Sequence, residues 1–227
     1  MIFRIYRRLA RAYGPLHWWP ARTRFEIIVG AFLTQNTSWK NVEQALRQLR
    51  RAGILNINGI RRIAPEELEQ LIRPSGYFRQ KSSRLKGFVA FVDERHNGSL
   101  SQMFSHPLES LRDELLELNG VGPETADAIL LYAGRRPVFV VDAYARRIFG
   151  RHGIASAEAP YEEIRGQVQS AFKKCGTREL TEHFNEFHAL IVEAGKRHCG
   201  AVAKCEGCPL QPLLPARSRG RAPDSAH

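Results

Sequence analysis

Apolar residues recur at intervals of three and four along most of the chain, the pattern of helices that bury one face. The spacing predicts six helices between residues 23 and 134, over 23–33, 41–51, 65–72, 79–93, 107–118 and 123–133. Gly53, Gly76, Gly98, Gly120 and Gly134 follow the ends of these patterns, and Pro65, Pro107 and Pro123 stand where proline suits a first turn. A second set follows over 144–149, 161–175 and 180–197, set apart by a stretch bearing Gly, Ala and Pro at 150–160. Ile2, Phe3, Ile5, Tyr6, Leu9 and Tyr13 predict one more amphipathic helix, whose arginines face solvent or an anionic partner. Strand signals are almost absent; Pro137 to Val141 is an apolar run of strand length. The expected fold class is all-α with two helical domains, one over 23–134 and one from 1–22 plus 135–208. Residues 209–227, rich in Pro, Arg, Ser and Gly and including Arg217, Arg219 and Arg221, are expected to form a flexible basic tail.

Composition narrows the partners. The 227 residues are 43% hydrophobic and 25% charged, enough to bury a core, so general disorder is excluded. Lys and Arg total 34 against 23 Asp and Glu, a net charge of +11, which points to a phosphate backbone, with an anionic membrane surface as the competing partner. No apolar run approaches the roughly 18 residues of a spanning helix, so a membrane protein is excluded. Residues 1–24 imitate a transit peptide in their arginines but lack a secretory apolar core, and the expected location is cytoplasmic, at the nucleoid. In a reducing compartment the four cysteines read as thiols or metal ligands.

The most informative segment is 111–132, which sets Gly120-Val121-Gly122 between two amphipathic patterns. The two glycines let phosphate oxygens approach the amides of Gly120, Val121 and Gly122, and Val121 pins the turn to the core. Neutral amides hold a phosphate without reading base sequence. With Leu118, Thr125 and Ala126 the segment matches a helix-hairpin-helix, about 111–133, whose bland alternative is a glycine-capped connection. The chain then runs through 137–141 to Asp142, which directly precedes a helical pattern and is otherwise a simple N-cap.

This hairpin, the Gly/Pro-bearing loop and the carboxylate, in that order, resemble the endonuclease III superfamily of base excision DNA glycosylases. The resemblance runs from Phe25 to Cys208. It implies a six-helix barrel domain packed on the second domain, a DNA cleft between them, and Asp142 as the catalytic carboxylate that stabilises a cationic sugar and activates water. The lysine nucleophile of bifunctional members belongs two residues after the hairpin's second glycine; here that residue is Glu124. A carboxylate cannot form a Schiff base, so the expected enzyme is monofunctional, without lyase activity.

His17-Trp18-Trp19-Pro20 and Phe25 to Trp39, with Gln35-Asn36-Thr37, are similar to the 3-methyladenine DNA glycosylase III branch. That likeness implies a base pocket lined by Trp18, Trp19, Pro20 and Trp39, with Lys196 beside it, while the resemblance to the wider superfamily implies that Gln35 enters the space left by the flipped base. Aromatic faces suit alkylated purines, which carry positive charge and a weakened glycosidic bond. Without the resemblance, the tryptophans read as core aromatics, Gln35 as a helix-terminal polar residue and Lys196 as a surface cation. The implied partner is double-stranded DNA with a damaged base, met by a monomer. An enzyme for oxidised pyrimidines or mismatches, and a non-catalytic hairpin module that detects distorted DNA, are the competing readings.

Cys199, Cys205 and Cys208 resemble the family's C-terminal iron-sulfur loop. The first gap is one residue short and Leu214 stands in the fourth cysteine's place. A four-iron four-sulfur cluster, a zinc or partial site completed by His188 or His198, and a metal-free loop all remain open.

Overall fold

The computed structural model describes residues 1–16, 18, 21–156, 158–173 and 175–215. These form two compact units, one of the described residues within 1–18 and 137–215, the other of those within 19–136. No strand occurs among the described residues, and none of their helices is long and apolar enough to cross a membrane.

The second unit contains α2 (Arg24–Leu33), α3 (Trp39–Arg51), α4 (Ile57–Arg62), α5 (Pro65–Ile72), α6 (Phe78–His96), α7 (Leu100–Met103), α8 (Leu108–Leu116) and α9 (Pro123–Ala128). All six predicted helices have counterparts. α4 and α7 were not predicted, because elements of six and four residues are too short for a helical period to show. α9 continues into a wider π turn, Ile129–Ala133, whose side chains are all buried. α2 begins where Thr23 accepts from the Glu26 amide at 3.1 Å, and it buries Ile28, Val29, Phe32 and Leu33. Each such side chain contributes about 1.5–3 kcal/mol. Two buried polar groups tie the helices together. Lys81 of α6 donates to the carbonyls of Leu33 (2.9 Å) and Ser75 (2.7 Å), and Arg112 of α8 forks onto Asp127 of α9 at 2.7 and 3.3 Å.

The first unit contains α1 (Ile2–Tyr13), α10 (Ala143–Arg151), α11 (Tyr161–Ala171) and α12 (Thr177–His198). Its core is aromatic: Phe172 meets Phe184 at 5.5 Å, and Phe139 and Tyr6 each meet Phe187 at 5.4 Å between centroids. The apolar run 137–141 joins no ladder. The Phe139 amide donates instead to Gln169 Oε1 (3.3 Å) and the Val141 amide to the Tyr161 hydroxyl (3.2 Å), both from α11. Side chains thus satisfy a buried backbone that a sheet would otherwise have to pair. α10 lies close on α12 because position 195 is glycine; a Cβ there would collide with the ring of Tyr144.

Candidate active site

In the second unit the hairpin turn is built around Gly120, whose φ of +78° favours glycine. A Cβ at Gly120 would also run into the side chain of Arg84, which lies across the turn. Gln35 braces the same turn: its amide nitrogen donates to Gly120 O (3.0 Å) and Thr125 Oγ1 (2.9 Å), while its carbonyl accepts from Arg84 at 2.5 Å. Two groups expected at a phosphate therefore face inward. The Val121 amide donates to Leu118 O at 3.0 Å, and Thr125 is buried with its hydroxyl engaged by Gln35. The amides of Gly120 and Gly122 have no backbone acceptor among the described residues. The side chain of Gln35, expected to enter the helix of a bound duplex, is committed to the turn in this structure. Trp39 opens α3 and is half-buried, with its indole N–H donating to Glu43 at 2.9 Å. Glu124 is exposed in the first turn of α9, where the helix dipole favours an acid.

In the first unit Asp142 caps α10: Oδ1 accepts from the Ala145 amide at 2.7 Å. Its other oxygen, Oδ2, lies 3.7 Å from Nε2 of His188 on α12, and the two side chains are 14% and 8% exposed. One carboxylate oxygen is thus fixed by the backbone and the other faces an imidazole. His188, considered only as a metal ligand, stands beside the carboxylate instead of joining the cysteines. Lys196 Nζ sits 4.9 Å from the centre of the Trp18 ring, so these two expected pocket residues do meet. The buried Trp18 Nε1 has no acceptor among the described residues. Trp19 and Pro20 lie outside the described residues, as do residues 216–227 of the basic tail.

One residue with site-like features escaped the sequence reading. Tyr77, at the N-cap of α6, is 64% exposed and holds φ at +46°, a conformation costly for an aromatic residue. The adjacent Gly76, with φ +68°, was the available signal, since paired left-handed residues mark a tight reversal.

The cysteine loop does not fit a four-iron four-sulfur cluster. Cys199, Cys205, Cys208, His198 and Leu214 surround a cavity of about 20 Å³, room for roughly one water. Leu214, in the fourth ligand's place, is buried. Among the described residues no three metal-ligating side chains converge. Burial pushes the Cys208 thiol up, as do Cys199 and Cys205, while hydrogen bonds with the Leu210 and Gln211 backbone pull it down. The loop is fastened by arginines: Arg151 donates to Cys199 Sγ (2.9 Å) and Ala201 O (2.8 Å), and Arg147 to Cys199 O (2.9 Å).

Known proteins resemble this chain in sequence and in fold. The family described as "HhH-GPD superfamily base excision DNA repair protein" matches residues 29–174. The DNA repair glycosylase candidate MJ1434 of Methanocaldococcus jannaschii is 45% identical over 213 residues, spanning 93% of this chain and 94% of that protein. Endonuclease III of Thermotoga maritima is 29% identical over 188 residues, 82% of this chain and 80% of that one. Among solved structures, H. pylori 3-methyladenine DNA glycosylase (MagIII) bound to 1,N6-ethenoadenine superposes with a TM-score of 0.76 at 30% identity, covering 86% of this chain and 97% of that one. A trapped endonuclease III–DNA covalent intermediate gives 0.79 at 24% identity, covering 97% of both chains, which speaks for the fold alone.

Proposed function

Because the chain belongs to the HhH-GPD superfamily of base excision DNA repair proteins, we propose that it is a monofunctional glycosylase that hydrolyses the N-glycosidic bond of alkylated purines, of the 3-methyladenine kind, in duplex DNA. The observation that carries this reading is that Asp142 is a carboxylate fixed by the backbone, in a chain that has Glu124 at the position where a lyase would need an amine. As the base leaves with the bonding electrons, positive charge grows on the sugar, and Asp142 stabilises it. Water adds at C1′ and yields its proton to the carboxylate. A cationic alkylpurine departs neutral, so no strong general acid is required. The Gly120 and Gly122 amides hold a backbone phosphate. Lys196 covers one face of Trp18, leaving the other to stack on a base. Trp39, at the start of α3, is the aromatic surface that the second unit offers to a base. Because Gln35 is committed to the turn, the exposed ring of Tyr77 fills the gap left by the flipped base. No step passes through a metal cluster.

The likeness to the H. pylori enzyme supports the alkylated-purine substrate over oxidised pyrimidines. Incubation with methylated duplex DNA should release free methylpurines, with strand breaks only after alkali. Asp142→Asn should lower release by at least a hundredfold while DNA affinity stays within about twofold. Unchanged release in that variant rejects the chemistry assigned to Asp142. No release by the native chain from methylated, oxidised or mismatched duplexes leaves a binding module.

A further inference from the structure

We propose that α1 and the segment around 209–213 form a second groove for the DNA backbone, sharing no residue with the hairpin or with the surroundings of Asp142. The proposal rests on DNA as the substrate of this family, not on the alkylated-base reading. Arg4, Arg7, Arg8 and Arg11, with Pro209 and Leu213, line a solvent-open cavity of about 620 Å³. The opposite face of α1 buries Ile2, Ile5, Tyr6 and Leu9, which fixes the arginine row outward. Arg8 Nε donates to Pro209 O at 2.8 Å and joins the helix to the far rim.

The row is unfavourable in isolation. Arg4 and Arg8, and Arg7 and Arg11, are like charges one helical turn apart, and such pairs destabilise a helix. Arg4 also lies in the first turn, against the helix dipole. α1 contains no acid, and none of the ion pairs among the described residues engages these four arginines. Among the described residues no acid compensates this repulsion, and an external polyanion relieves it. Arg4 to Arg11 spans about 10 Å of helix, which matches about three base-pair steps of a duplex strand. Guanidinium forks suit phosphate oxygens. An anionic lipid surface fits less well, because it needs an apolar face to insert. That face of α1 is already inside the core, and the exposed Phe3 ring is stacked edgewise on Phe172 at 5.3 Å.

The test measures binding of the full chain to undamaged duplex DNA across a salt series, comparing an Arg4→Gln/Arg7→Gln/Arg11→Gln variant with an Arg62→Gln/Arg95→Gln/Arg178→Gln control of equal charge. Each phosphate contact contributes about 0.9 to the slope of log affinity against log salt. The groove variant should therefore lose about 2 to 3 units of slope, and the control little. An Arg-to-Lys version of the groove variant should keep most of the slope, which separates charge from folding, and thermal melting checks that the variants are folded. Equal slopes for groove variant and control overturn the proposal. So does arginine-dependent binding to phosphatidylserine vesicles with an unchanged DNA slope. A native chain that releases no methylpurine overturns the alkylated-base reading alone, because the slope is measured on intact DNA.

Discussion

The hairpin turn and the cysteine loop are both recognised by short motifs, and the structure treats them oppositely. At the hairpin the motif is braced by side chains: Gly120 is crossed by Arg84, Thr125 is held by Gln35, and the flanking helices are joined by Arg112 and Asp127. At the cysteine loop three thiols survive, but Leu214 occupies the fourth position and arginines fasten the chain. A motif supported by packing keeps its shape without a ligand. At the cysteine loop, where Leu214 stands at one of the four ligand positions, ordinary side chains do the anchoring.

The sharpest way to break this contrast is at the hairpin's ion pair. Arg112→Ala removes the fork that joins α8 to α9 and leaves Asp127, fully buried, without it. Loss of one partner from a buried pair costs about 3–5 kcal/mol. Denaturant unfolding should show a loss of this size; a loss under about 1 kcal/mol would mean that the hairpin is braced by other contacts. Lys81 should give an effect of order 2 kcal/mol that depends on pH. Burial, reinforced by nearby Arg84, pulls its amine down to about 8, while an unfolded lysine titrates near 10.5. Below pH 8 the folded protein bears the full cost of a buried charge. Between pH 8 and 10.5 the folded state sheds that proton while the unfolded state keeps it, so the cost disappears and this group's contribution to stability rises with pH. Compared with Lys81→Met, the native chain should gain relative stability over that window, and a flat difference in paired urea titrations would reject the account.

Much of this contrast was legible in the sequence. Helical periodicity placed the main helices, and the order of glycines, proline and Asp142 placed the hairpin and the N-cap, because these features are local. The side chains that meet from afar were hidden. Gln35 reaches Gly120 across 85 residues, and His188 comes to Asp142 only because α10 packs on α12. From the sequence alone Gln35 is expected as a wedge or a helix-terminal polar residue and His188 only as a metal ligand, and neither of these contacts could be foreseen. Periodicity says which face of a helix is buried and is silent on what that face meets. The inward Val121 amide was hidden for another reason: a hydrogen bond within a turn depends on backbone angles that residue type only biases.

A milder perturbation addresses the turn itself. Gly120→Ala must adopt a φ of +78° and displace the side chain of Arg84, at a cost of about 1–3 kcal/mol. Because the same change shifts the amides assigned to phosphate, affinity for undamaged duplex should fall with stability. Lost stability with full affinity would separate the turn from the DNA and send the phosphate elsewhere.

The smallest effect is expected at the cysteine loop, where it decides what fastens the chain. Arg151→Gln removes the contacts to Cys199 Sγ and Ala201 O, worth about 1–2 kcal/mol because Cys199 is buried while Ala201 is exposed. Aerobically and anaerobically purified protein should melt alike, without stoichiometric iron, and a chelator should not move the transition. A brown protein with a sulfide-to-iron absorption band and chelator-sensitive melting would make the three thiols a cluster site despite Leu214. The arginines would then be supports of that site, and the two motifs would differ only in how many of their residues a ligand needs.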